Sequence, residues 1–362
     1  MKLNKILLPV LAGFLFAGAA RSQVNLTITG STSFRAITFD RVSSLFDAGY
    51  SIWGDTTNVG PGTFSGTMSN AIPSLGNSPV TFRCSFSGSG AGMLAVENNA
   101  TIPTINPVTG AVSNVAPDIS MSDVYPEAAT PSINGSVFDQ YIVGVIPFVW
   151  VVNNHLTGIT NITREQAYLL MTASGVQGGF NGMPATYLGG SSTNPVYLTG
   201  RDSGSGTHIT TQFDIGFYNQ TPTMWGTSQT NAGLLILTNG YSSGGNERVV
   251  IANNTNVIGY LGVSDALAIA ANANIISYEG IPFSIGAVQT GAYPMWGYEH
   301  LVNKPGASLS ANQKLIRDAL VSAITNQTYQ TQNTLYTNSF VDQARMKVTR
   351  GADGGPITSL SF

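Results

Sequence analysis

Charge is what this chain has least of: 15 Lys+Arg and 18 Asp+Glu among 362 residues, a 9% charged fraction with a net charge of -3. That excludes a nucleic-acid binder resting on a broad basic surface, because phosphate neutralisation needs clustered cations. The one cysteine, Cys84, excludes an intramolecular disulfide and any multi-thiolate zinc or iron–sulfur centre. Histidine is scarce as well. His155, His208 and His300 lie far apart, none with the spacing that sets two imidazoles on one helix face, so neither a metal site nor a cofactor is expected. Long apolar runs are also missing: beyond the first residues no segment reaches the roughly 20 residues that span a bilayer.

What the chain does have is a 43% hydrophobic content, 41 glycines and 17 prolines, with hydroxyl and amide side chains supplying most of the rest. That hydrophobic content is too high for disorder, and the length over a typical domain size of roughly 150 residues suggests two lobes. Lys2 and Lys5 precede an apolar stretch from Ile6 to Ala17 and the small residues Gly18, Ala19 and Ala20. This basic, apolar, small-residue order reads as a signal peptide over residues 1–20, cleaved after Ala19 or Ala20. Cys84 is too far downstream for a lipoprotein anchor. The mature chain is expected to be soluble, periplasmic or secreted.

Strand-like runs (Leu26 to Thr29, Val143 to Val152, Val196 to Thr199, Val257 to Leu261, Ile275 to Tyr278) alternate with helix-like pieces (Arg35 to Phe46, Thr163 to Thr172, His208 to Phe217, Ala311 to Thr325). The alternation predicts an α/β fold. Gly54 to Pro79 and Thr101 to Pro117 read as surface loops or hairpins. The extended stretches near Tyr141 to Asn154 and Tyr260 to Tyr278 are the candidate crossings between lobes. One lobe is expected to comprise residues 24–140 plus about 262–362, the other about 141–261.

Three Ser/Gly clusters carry the candidate chemistry: Gly30-Ser31-Thr32-Ser33-Phe34, Ser87-Gly88-Ser89-Gly90-Ala91-Gly92 and Arg201-Asp202-Ser203-Gly204-Ser205-Gly206-Thr207. Each stands between an apolar or mixed stretch and a possible helix. Such turns aim backbone N–H groups along a helix dipole and suit anions. Glycine permits close approach, and small hydroxyls add donors without filling space. Taken singly, such clusters are also common turn punctuation in a glycine-rich chain. The third is more pointed, since its arginine offers a planar fork for an oxyanion or carboxylate. The lysine of a P-loop is missing, and Gly88 to Gly92 lacks the third glycine of a dinucleotide fingerprint.

These residues resemble the phosphate-binding periplasmic proteins of high-affinity phosphate ABC transporters. Arg201 to Thr207 is similar to that family's R-x-x-G-S-G-T loop, Thr29 to Phe34 to its first strand–loop–helix, and Gly88 to Gly92 to its G-S-x-G-G turn. Ile119 to Asp123 resembles its A-S-D segment, Leu156 to Met171 a stretch of its second lobe, and Val257 to Leu261 its I-G-Y strand. The six blocks fall in the family's order. The resemblance implies a two-lobed type II periplasmic binding protein with the ligand in the hinge cleft. It further implies inorganic phosphate held by Ser33, Phe34 (through its backbone N–H), Ser89, Asp123, Arg201, Ser205, Gly206 and Thr207. The implied partner is an inner-membrane ABC permease, and the implied protein is monomeric and not an enzyme. Two positions depart from the pattern. Ser203 stands where many relatives have an acidic residue, with Asp202 one place earlier, and Ser33 stands where relatives often have threonine.

Asp123 has a physical rationale of its own. A carboxylate in an anion site repels a ligand that brings no proton, and phosphate at neutral pH carries one while sulfate does not. Two rival readings come from other residues. Gly240-Tyr241-Ser242-Ser243-Gly244 fits a G-x-S-x-G nucleophile elbow, with Asp265 and His300 following in triad order, although an elbow should lead straight into a helix and Gly245 to Arg248 leads into Val249 to Ala252 and an Asn-rich turn. The third reading is a structural surface protein ending in Leu360-Ser361-Phe362, which lacks the regular alternating strands of a barrel.

Overall fold

The computed structural model describes residues 22–55, 60–173, 182–218, 220–227, 234–332 and 338–360. The expected signal peptide lies outside the described residues.

Eleven strands form one mixed sheet. Its order runs Met183–Pro184, Pro195–Leu198, Val257–Gly262, Asp139–Asn153, Trp296–Asn303, Ile119–Ser122, Val24–Gly30, Val80–Cys84, Gly62–Gly66 and Ser51–Gly54, with Ala273–Ile275 pairing beside Asp139–Asn153. Val24–Gly30 runs parallel to Val80–Cys84 and Ile119–Ser122, and Pro195–Leu198 parallel to Val257–Gly262. Parallel neighbours need crossovers, and helices supply them. These are α1 (Arg35–Ser43) and α2 (Ser89–Asn98) for the first set and, after α3 (Arg164–Ala173), α4 (Gly206–Ile215) and α5 (Gly244–Asn253) for the second, with α6 (Val263–Leu267) following Val257–Gly262. A longer helix, Ala311–Ile324, packs against α1 and the strand Val24–Gly30, started by a reciprocal Ser310–Gln313 capping box.

The 15-residue strand Asp139–Asn153 joins the two halves of the sheet. Its first part, Asp139 to Pro147, pairs with Trp296–Asn303. Its second part, from Phe148, pairs with Val257–Gly262 and then Ala273–Ile275. A strand covered on both faces should read as a continuous apolar run, and Val143 to Val152 are all buried. Trp150 and Trp296 are fully buried core residues.

The expected strands and helices occur, with two corrections. Ile275 to Tyr278 divides into Ala273–Ile275 and Ser277–Tyr278, which pair with different partners. The stretch after Gly244, where the sequence reading has no helix, is helix α5. Ser243 overrides the weak propensity by accepting the Asn246 N–H at 3.2 Å, and Glu247 in the first turn is wholly buried. Thr101 to Pro117 contains the antiparallel hairpin Ile102–Ile105 and Val112–Val115, and Gly54 to Pro79 holds the strand Gly62–Gly66, which pairs antiparallel with Ser51–Gly54 at its edge.

Candidate functional site

The three Ser/Gly turns leave the C-terminal ends of parallel strands, where open α/β sheets collect ligand-binding loops. Gly30, at φ +109°, ends the first strand, and a Cβ there would collide with the Met121 carbonyl. Ser31 N–H donates to that carbonyl at 2.8 Å, and the Ser31 hydroxyl accepts the Phe34 N–H at 3.1 Å. The Phe34 N–H expected to face a ligand is thus held within its own turn. Gly88, at φ +113°, opens α2, whose Gly90 and Ala91 N–H groups both donate to the Gly204 carbonyl at 3.0 and 3.2 Å. The second turn therefore packs directly on the third.

Asp123 sits where the turns meet. It follows the strand Ile119–Ser122 and is 1% exposed. One carboxyl oxygen accepts the Ser89 hydroxyl and the other the Ser31 hydroxyl at 3.4 Å, while its N–H donates to Ser89 Oγ at 3.2 Å. Gly206 lies so close that a Cβ would overlap Asp123 Oδ1 and stand 2.6 Å from Ser89 Oγ. Only glycine fits. Ser33 and Thr207 meet hydroxyl to hydroxyl at 3.0 Å. Ser205 is also buried, but its hydroxyl caps α4 by accepting the His208 N–H at 3.4 Å.

Arg201 is 1% exposed and oriented by three acceptors. Its Nε donates to Tyr241 O at 2.8 Å, and Nη2 donates to Ser242 O at 2.8 Å and to Thr32 Oγ1 at 3.0 Å. A guanidinium pinned along one edge keeps its remaining donors in a fixed direction. The eight residues expected from the sequence are thus brought together. Those it missed are Ser31, Thr32, the carbonyls of Tyr241 and Ser242, and Glu247. Ser31 and Thr32 lie inside a cluster already singled out, but backbone carbonyls and a lone helix glutamate leave no local sequence signal.

Burial dominates the electrostatics. Asp123 is pushed up by desolvation and pulled back by the Ser89 hydroxyl and then Arg201. Asp202 is raised by burial and lowered by Arg201. Glu247 accepts the Tyr260 N–H at 3.2 Å and is raised by burial to about 8, with Arg201 the strongest opposing influence. His208, bonded to the Tyr260 hydroxyl at 2.7 Å, is depressed to about 4 by burial and then by Arg201, so it is neutral at pH 7. Arg201 thus acts electrostatically on three acidic side chains, Asp123, Asp202 and Glu247.

The elbow residues do not assemble. Ser242 is exposed, Asp265 is held by Arg248 at 3.0 Å and faces Arg35 at 3.8 Å, and His300 is buried against Tyr125 with ring centroids 4.7 Å apart. No hydrogen bond joins the three. Among the described residues no group of three His, Cys, Asp or Glu side chains could hold a metal ion.

No family model and no curated protein sequence matches this chain. Its fold has clear counterparts among solved structures. One, from Clostridium perfringens and described as a phosphate ABC transporter substrate-binding protein with bound phosphate, is 15% identical with a TM-score of 0.57, over 88% of this chain and 99% of that one. Another, the high-affinity periplasmic phosphate-binding protein PfluDING bound with phosphate, is 15% identical with a TM-score of 0.50, over 88% of this chain and 90% of that one. The fold is the two-lobed α/β fold of periplasmic phosphate-binding proteins.

Proposed function

We propose that the chain is an exported, non-enzymatic binding protein that captures inorganic phosphate between its lobes and delivers it to an inner-membrane ABC permease. One observation carries this reading: three Gly/Ser turns from different parts of the sequence converge, buried, on one carboxylate and one arginine. The turns and Arg201 suit an oxyanion, and Asp123 suits one that still carries a proton. Phosphate at neutral pH is such an anion. Ser33, Ser89 and Asp123 would contribute from one side, joined by Phe34 if its N–H exchanges Ser31 Oγ for the ligand, and Arg201, Ser205, Gly206 and Thr207 from the other. Contacts available only when both sides reach the same ligand favour closure.

The first lobe would comprise residues 24–140 and the C-terminal part of the chain, with the second beginning at about residue 141. We read the return crossing nearer residue 295 than 262, because Ala273–Ile275 and Ser277–Tyr278 still pair with Val151–Asn153 and Asn161–Ile162. The protein would act as a monomer in the periplasm or outside the cell.

Isothermal titration of the mature chain, unfolded and refolded in phosphate-free buffer, tests the proposal. Saturable one-to-one phosphate binding with no sulfate response is expected. Absence of phosphate binding by refolded protein with a cooperative melt would overturn it.

A further inference from the structure

Glu299 lies on the strand Trp296–Asn303 at 0% exposure, and neither of its carboxyl oxygens has a hydrogen-bond partner among the described residues. A carboxyl so placed needs a reason. Strand register sets its surroundings. His300 pairs with Ser122 in an antiparallel ladder. Asp123 follows directly on Ser122, the last residue of that ladder, and its charge acts on Glu299; side chains two apart on a strand share a face. Gly297 shares that face, and a Cβ there would run into the Asp123 carbonyl and stand 3.6 Å from Thr210 Oγ1 of α4. On its other flank Glu299 pairs with Gly144, whose missing side chain is replaced by the ring of Phe340. Phe340 packs in turn on Phe34, with centroids 5.2 Å apart.

Two buried carboxyl groups whose charges interact cannot both ionise cheaply, so their environments decide which keeps the proton. Asp123 has hydroxyl donors on both oxygens and Arg201 nearby to support a charge. Glu299 has neither. Burial raises it far above the usual carboxylate range, and the Asp123 charge adds to the rise.

We propose that Glu299 is a further specificity-determining residue of the oxyanion site: a neutral carboxylic acid near Asp123 that keeps the pair's single negative charge on Asp123. The inference rests on the phosphate reading and deepens it. With Glu299 neutral, Asp123 stays a pure acceptor for the ligand's proton. Ionisation of Glu299 would set a second carboxylate beside the anion and expel it. The charged group that acts on Glu299 is Asp123, just after the neighbouring strand, while neutral Thr210 of α4 lies by Gly297 on the same face and apolar Phe340 by Gly144. Arg201 and Asp353 each interact with Asp123. Tyr298 and His300 occupy the opposite face, with Tyr125.

The test compares wild type, Glu299→Gln and Asp123→Asn in the mature chain. In ligand-free protein at about pH 7, the infrared difference between wild type and Glu299→Gln should contain a protonated-carboxyl C=O band. In Asp123→Asn that band should titrate away about one pH unit or more lower than in wild type, because the like charge is gone. Titrated with inorganic phosphate, wild type and Glu299→Gln should bind alike while the band persists. Above that range wild type alone should weaken further, by about tenfold per pH unit. No band at neutral pH, a band insensitive to Asp123→Asn, or an affinity ratio that ignores the band's titration would each overturn the proposal while leaving phosphate capture standing. A wild-type chain that shows the band and its shift but takes up no phosphate would overturn the phosphate reading and Glu299's role in it together. The infrared arm needs no ligand, so the two failures are distinguishable.

Discussion

Replacing Asp123 by asparagine keeps the shape of the side chain and removes its charge, which isolates the proton-reading role proposed for it. In the wild type a fully deprotonated tetrahedral anion must approach a carboxylate that is 1% exposed and already fixed by Ser89 and Ser31. At about 4 Å and an effective dielectric constant of about 20, that repulsion is about 4 kcal/mol. A protonated oxygen instead donates to Asp123, and a hydrogen bond to a charged group contributes about 1.5–3 kcal/mol. The amide removes the repulsion and offers an N–H, so sulfate affinity should rise by about two to three powers of ten at about 1.4 kcal/mol each. Phosphate should lose about one to two powers of ten as its charge-assisted acceptor disappears. The assay is calorimetric titration of both anions at neutral pH, with a thermal melt of each variant to confirm folding. A folded Asp123→Asn protein that still excludes sulfate, with its phosphate affinity unchanged, would show that Asp123 does not discriminate the two anions.

Other substitutions separate the site from its scaffold. Arg201→Ala removes three hydrogen bonds and the cation facing the turns, so phosphate affinity should fall by at least about a hundredfold, and Arg201→Lys should not restore it because an ammonium cannot reproduce the fork. Glu247 has a raised pKa of about 8 in the folded chain; its contribution to stability is therefore fully present below the unfolded value and lost as pH rises through about 8. Wild type should lose up to about 1.4 kcal/mol per pH unit relative to Glu247→Gln across that window, read from paired melts; parallel curves would contradict the assignment. Ser310→Ala removes the cap of Ala311–Ile324 and one half of its reciprocal pair with Gln313. It should cost about 1 kcal/mol of stability while leaving anion affinity unchanged.

The parts of this protein that sequence makes legible are those where local chemistry and tertiary structure agree. Val143 to Val152 reads as a buried strand because every residue is apolar or small, and it lies within the strand joining the halves of the sheet. Ser310 and Gln313 announce a helix start three residues apart. The turns around Ser33, Ser89 and Arg201 can be singled out because glycine, hydroxyl residues and arginine are each needed there for a distinct reason. Other features depend on partners distant in the chain. Glu247 is ordinary in its own helix and becomes part of the site only because Val257–Gly262 brings Tyr260 over it. Glu299 gains its meaning from the pairing of His300 with Ser122, a registration no local pattern records. The stretch Gly244 to Arg248 shows the reverse failure. Its glycines and asparagine argue against a helix, while the Ser243 cap and the burial of Glu247, Val250 and Ile251 decide for one.

In the proposed function one oxyanion is held between the carboxylate of Asp123 and the loop Arg201 to Thr207. The most direct measurement is a crystal structure of the mature chain grown with phosphate. Phosphate oxygens within hydrogen-bond reach of both Asp123 and Arg201, with Ser33, Ser89 and Thr207 completing the shell, is the predicted result. Phosphate bound elsewhere, or none between these residues at a saturating concentration, would contradict it.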